Sequence, residues 1–141
     1  MRFPSIFLPF LALLFGLLMA CGESSNPVAE LQKQVMAVHD EVMPKMGELA
    51  QLEKQLRDEY QSISQEAQPD SARMEVLLDH VSSLKNANEG MMVWMREYNP
   101  ELKDLSETNA VIYLKEEMEK VEQVKADMIN SLEAAQAIAN E

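Results

Sequence analysis

Every seventh residue from Val28 onward is a branched aliphatic: Val28, Val35, Val42, Leu49, Leu56 and Ile63. Two turns of an α-helix take 7.2 residues, so a repeat of seven lays these side chains along one slowly drifting stripe. In a strand, an odd spacing would throw successive members onto opposite faces. Leu31, Val38 and Leu52 fill the second position of the same seam, which Lys45 and Glu59 interrupt. Asn26 ahead of Pro27 suits a helix start, since asparagine accepts from first-turn amides and proline at the first helical position forfeits no bond. The pattern predicts one long helix over residues 27–64, on the order of 55 Å. Pro44 lies inside it, removes the bond to the Asp40 carbonyl and kinks or breaks it there.

Two more stripes follow. Pro69-Asp70-Ser71 restarts the chain, and Met74, Leu77, Val81, Leu84, Met91, Met95 and Tyr98 recur at helical spacing with Asn88 on the seam, before Asn99-Pro100 stops it. After a connector at 101–105, Ser106 is placed to cap a third helix, whose stripe is Val111, Leu114, Met118, Val121, Met128, Leu132 and Ala135. Glu53 before Arg57 and Glu116 before Lys120 have the order and spacing of helical ion pairs. No alternating β pattern and no long internal repeat appears. The expected fold is all-α: a three-helix antiparallel up-down-up bundle with coiled-coil-like packing over residues 28–141. An extended coiled coil that completes its core by oligomerising has the same spacing, so the oligomeric state stays open.

Ahead of the bundle, Arg2 is followed by residues 3–20 without a charge, closing on Leu18-Met19-Ala20-Cys21. A positive start, an apolar run and a small residue at the cut are the parts of a secretory signal. An uncleaved membrane helix is the rival. Eighteen uncharged residues reach the lower limit for spanning, but Pro4, Pro9 and the polar stretch at 22–27, which carries no positive stop, argue against it. The closing four residues resemble the lipobox of bacterial lipoproteins. The resemblance implies a signal peptide at 1–20, then a lipidated cysteine and flexible linker at 21–27, with diacylglyceryl on the Cys21 sulfur and an acylated amine. Two or three chains hold durably where one holds marginally. Gly22 after the cysteine, in place of aspartate, implies the outer membrane by the same resemblance. With Glu23 a weak export signal, the periplasm-facing leaflet is the expected location in the cell envelope.

Cys21 is the only cysteine, so no disulfide supports the fold. Removing the leader from the 141-residue chain leaves roughly 120 residues, suited to one domain. It also takes the formal charge from −12 to about −13, which repels nucleic acid and anionic lipid.

The segments His39-Asp40-Glu41-Val42-Met43-Pro44-Lys45-Met46-Gly47-Glu48 and Met91-Met92-Val93-Trp94-Met95, with Tyr113-Leu114 and the lipobox, carry a further likeness. On these the chain resembles small Bacteroidetes lipoproteins of unknown function, often labelled viral A-type inclusion protein for their coiled-coil character. The resemblance covers most of the mature chain. It transfers no catalytic or binding residue.

The residues offer little chemistry beyond this. The one thiol is committed to lipid, and His39 and His80 have no serine motif to activate. Gly16, Gly22, Gly47 and Gly90 form no phosphate loop, no calcium-loop or zinc-helix pattern is present, and Glu116 and Glu117 are neighbours that point apart. The expectation is a non-enzymatic protein without a cofactor, serving as a binding or structural module for an envelope partner not identified by sequence. His80 reads as a surface or boundary residue and Asn88 as a polar residue that sets register.

One constellation stands out. If facing residues of the first two helices have numbers summing to about 134, His39 meets Met95 and Met43 meets Met91, with Tyr113, Leu114 and Met118 at that level. Met36, Met46, Met92 and Trp94 lie close in sequence. Methionine fills irregular gaps beside a kink, and packing is the favoured reading. The alternative is a periplasmic copper-binding or metal-stress protein, because thioethers with an imidazole select Cu(I). Its ligands would be His39, Met43, Met91 and Met95.

Overall fold

A computed structural model of the chain describes residues 26–140; the leader, the proposed anchor Cys21, the start of the linker and Glu141 lie outside the described residues. Four helices follow in order: α1 (Pro27–Val42), α2 (Lys45–Ser64), α3 (Ser71–Glu97) and α4 (Glu107–Ala139). No strand is found among the described residues. Three of the helix starts carry side-chain caps, Asn26 and Ser106 as the sequence predicts and Asp70 at the restart after Pro69. Asn26 Oδ1 accepts from Val28 N at 3.0 Å and Ala29 N at 3.3 Å, Asp70 Oδ1 from Ala72 N at 3.1 Å and Arg73 N at 3.0 Å, and Ser106 Oγ from Asn109 N at 3.3 Å. Each satisfies amides that the first turn leaves without partners.

The expected single helix over 27–64 is two helices. Met43 N donates to His39 O at 2.9 Å and ends α1, Pro44 has no N–H to continue the ladder, and Met46 N reaches back only to Met43 O at 3.2 Å. Met43 (φ −50°, ψ −40°) and Pro44 (φ −59°, ψ −24°) keep right-handed helical dihedrals all the same. The interruption is therefore one of hydrogen bonding, and the seven-residue stripe survives it: Val35 and Val42 before the proline and Leu49 and Leu56 after it are all buried.

The other helices bury a seven-residue column each, Leu77, Leu84 and Met91 on α3 and Leu114, Val121, Met128 and Ala135 on α4. Ala87 with Trp94 and Ala110 with Glu117 add further heptad-spaced buried pairs that the sequence stripes omit. The helices pack together, α2 on α3, α1 on α4, and α4 also on α3 and α2. At one end Gln32 Nε2 donates to Pro100 O at 3.0 Å, joining the start of α1 to the α3–α4 connector. At the other, Arg73 spans three helices, with Nε to Glu59 Oε1 at 2.8 Å and Nη2 to Ile138 O at 2.9 Å. Between them Lys125 Nζ meets Glu41 Oε2 at 2.6 Å.

Of the two helical ion pairs expected, Arg57 with Glu53 forms. Lys120 takes Glu117 instead of Glu116, at 2.8 Å. A carboxylate on the buried face needs the ammonium more than one in water does. No helix among the described residues is long and apolar enough to cross a membrane.

Leu49 is fully buried. Leu49→Ala is expected to lower unfolding stability by about 2–5 kcal/mol in urea titrations. Leu78→Ala, at a position 48% exposed, should change it by no more than about 0.5 kcal/mol.

Candidate functional site

Four aromatic rings meet near the end of the bundle that holds the start of α1. Trp94 lies in the last turn of α3, and Tyr98, which caps that helix, is four residues on and donates its N–H to Trp94 O; Tyr113 and Glu117 stand one turn apart on α4 and share a face. The His39 ring of α1 lies 5.6 Å from Trp94, tilted by 34°; Trp94 stacks on Tyr98 at 4.9 Å and 23°; Tyr98 stacks on Tyr113 at 6.3 Å and 20°. The column runs through α1, α3 and α4. Such pairs add about 0.5–1.5 kcal/mol each beyond their burial.

Its polar groups are unevenly served. His39 Nδ1 pairs with Asp40 Oδ1 at 2.9 Å, and Tyr113 Oη accepts from Asn99 N at 2.7 Å. Trp94 Nε1 and Tyr98 Oη are buried without a hydrogen-bond partner among the described residues, as is Asn88 Oδ1 farther along α3. Gln32 sits beside the Tyr98 hydroxyl without completing a hydrogen bond, its amide being given to Pro100 O. Burial raises the Tyr98 phenol above its ordinary pKa of 10.0; Gln32 opposes the rise, and Tyr113 and Glu117 add to it. Glu117, only 4% exposed, is held by Lys120 Nζ. That contact lifts the Lys120 ammonium above 10.5, against a smaller opposing effect of burial.

The residues expected to gather around His39 do so in part. Met91 is fully buried, and Met43, Met46, Met95, Tyr113 and Met118 pack against the same hydrophobic core, whereas Met92 is exposed. His39 lies against Trp94, one residue from the Met95 that the register arithmetic gives it. His80 is half-buried, in keeping with a boundary position. Cys21 lies outside the described residues. Among those described, no three or more His, Cys, Asp or Glu side chains converge as a metal site. A shallow groove of about 300 Å³ runs between α3 and α4 past Ser83, Asn86, Gly90, Asp127 and Asn130, and none of the four rings lines it.

The sequence stripes missed Glu117 and the ring column. The signal was available in the heptad series Ala110, Glu117, Val124 and Ala87, Trp94, and in the one-turn spacing of Trp94 to Tyr98. Comparison of the chain with protein-family models, curated proteins and solved structures gives no match.

The raised Tyr98 phenol and Lys120 ammonium predict a fold that weakens in alkali. A phenol raised by folding leaves stability unchanged while both states hold the proton, and lowers it once the unfolded chain ionises above 10.0. The raised ammonium contributes stability that is present below 10.5 and lost as pH climbs past its folded value. Both point the same way, with Lys120 the smaller because it is exposed. Stability from urea titrations is expected to fall above pH 10, and Tyr98→Phe should flatten the fall.

Proposed function

We propose that the protein is a non-enzymatic envelope lipoprotein, held in the outer membrane through lipid on Cys21 and facing the periplasm, with residues 28–141 acting as a binding or structural module. The observation that carries this reading is the uncharged run closing on Leu18-Met19-Ala20-Cys21, followed within five residues by the cap that opens α1. An acylated cysteine so near an ordered helix holds the whole bundle within a short reach of the bilayer. The module is an up-down-up antiparallel bundle with coiled-coil-like packing. The pairings of Glu59 with Arg73, Gln32 with Pro100 and Glu41 with Lys125 support the topology, and the seven-residue spacing of the buried side chains supports the packing.

Mass spectrometry of the membrane fraction is expected to find a mature chain beginning at acylated Cys21, and Cys21→Ala to leave the protein unlipidated. Recovery of an intact Met1 terminus on membrane-bound protein would sink the reading.

His39, Met43, Met91 and Met95 all abut one core, which keeps copper binding as the rival role. A ligand of the folded state raises the melting temperature with its concentration. The fragment from Gly22 onward, melted with Cu(I) under anaerobic reducing conditions, is expected to show no rise, and Met43→Leu with Met91→Leu to cost under about 1.5 kcal/mol apiece. A copper-dependent rise that this double variant abolishes would move the function to metal binding.

A further inference from the structure

The two connectors are chemically unlike, although the second turn of α3, beside the 65–70 connector, also exposes Val76 and Leu78. The α2–α3 connector, residues 65–70, is exposed throughout and carries no large apolar side chain. The α3–α4 connector at the opposite end turns Leu102 inward against the core and Leu105 outward, with Leu105 N donating to Leu102 O at 3.0 Å and Leu105 41% exposed. Seven residues on, in the second turn of α4, Ile112 is 52% exposed. Water gains nothing from either side chain.

This is also the end from which the chain leaves toward Cys21. Gln32, in the second turn of α1, is hydrogen-bonded to Pro100 of the connector, so the start of α1 and residues 99–106 share one end. From Cys21 to Asn26 is five residue steps, which span at most about 18 Å. A lipid-held cysteine therefore keeps the start of α1, and with it the 99–106 connector, within reach of the bilayer surface. The charges select the kind of surface: Lys103 is paired with Glu101 at 2.8 Å, while Asp104 and Glu107 flank Leu105 and oppose anionic headgroups.

We infer that the α3–α4 end of the bundle is a lipid-docking surface, on which Leu105 and Ile112 enter the headgroup region of a zwitterionic phospholipid membrane. The inference rests on the anchoring at Cys21 proposed above. Docking fixes which end of the bundle meets the bilayer and leaves the 65–70 end, with the Arg73 cluster, turned toward the aqueous compartment.

The test uses the full chain, processed and lipidated, in zwitterionic vesicles. Acylation blocks the sulfur of the single native cysteine, so Leu105→Cys, Ile112→Cys and Gln68→Cys each offer one thiol to a nitroxide label. All three positions are exposed, which keeps the fold out of the comparison. At 105 and 112 the label is expected to be relaxed several-fold more by oxygen, which partitions into lipid, than by a water-soluble nickel chelate, with the reverse at 68. Enriching the vesicles in anionic phospholipid should shift 105 and 112 toward the behaviour of 68. If the chain stays on the vesicles and 105 and 112 behave as 68 does, the docking surface is wrong while the anchor stands. Shielding of 105 from both relaxants would signal a protein contact and likewise overturn it. Failure of the unlabelled chain to associate with vesicles would remove the anchor and the docking together.

Discussion

The column Val35, Val42, Leu49 and Leu56 is buried without interruption on both sides of a residue that interrupts the backbone ladder, and the rest of the architecture depends on it. A helix that breaks at a proline can restart with its apolar face turned away, and that would strand half the core in water. Here Met43 and Pro44 hold helical dihedrals, so α2 resumes in phase with α1. One stripe then serves both halves, with α1 lying against α4, and α2 against α3 and α4. The columns of α3 and α4, at the same seven-residue spacing, complete the core without a disulfide.

Periodicity made most of this legible in the sequence. Asn26 and Ser106 could be read as caps, and Asp70 as part of a restart, because their side chains act on amides two or three residues away. Local chemistry is visible in local sequence. The choice between a kink and a break at Pro44 was not legible, since it depends on what packs against the junction. The partner of Lys120 was hidden for a related reason. Spacing makes Glu116 and Glu117 nearly equivalent, and only the burial of Glu117 by other helices decides between them. The ring column needs α1, α3 and α4 together, so a single stripe shows only pieces of it.

Polar groups inside the bundle divide by location. Arg73 joins Glu59 and the end of α4 in a hydrogen-bonded cluster at the 65–70 end. Toward the opposite end Trp94 Nε1 and Tyr98 Oη are buried without hydrogen-bond partners among the described residues, beside a carboxylate held by one exposed lysine. Unpaired buried donors destabilise by about 1–3 kcal/mol each. Both groups lie toward the end tied to residues 22–26 and from there to the proposed anchor, where the stacked rings offset part of that cost.

The broken hydrogen-bond ladder at Pro44 has a mechanical meaning. In a continuous helix, unwinding that begins at one end travels turn by turn, because each turn holds the next. Tension entering through Asn26 loads α1 first, and α1 is braced laterally by Glu41 on Lys125, Gln32 on Pro100 and His39 on Trp94. Beyond Met43, α2 has its own turns and its own buried leucines, Leu49, Leu52 and Leu56, so the ladder that carries unwinding along α1 does not run on into it. The proline acts as a firebreak in the ladder alone: the sixteen residues of α1 still give Val35 and Val42 to the core against α4, so the bundle is divided in its hydrogen bonding and undivided in its packing.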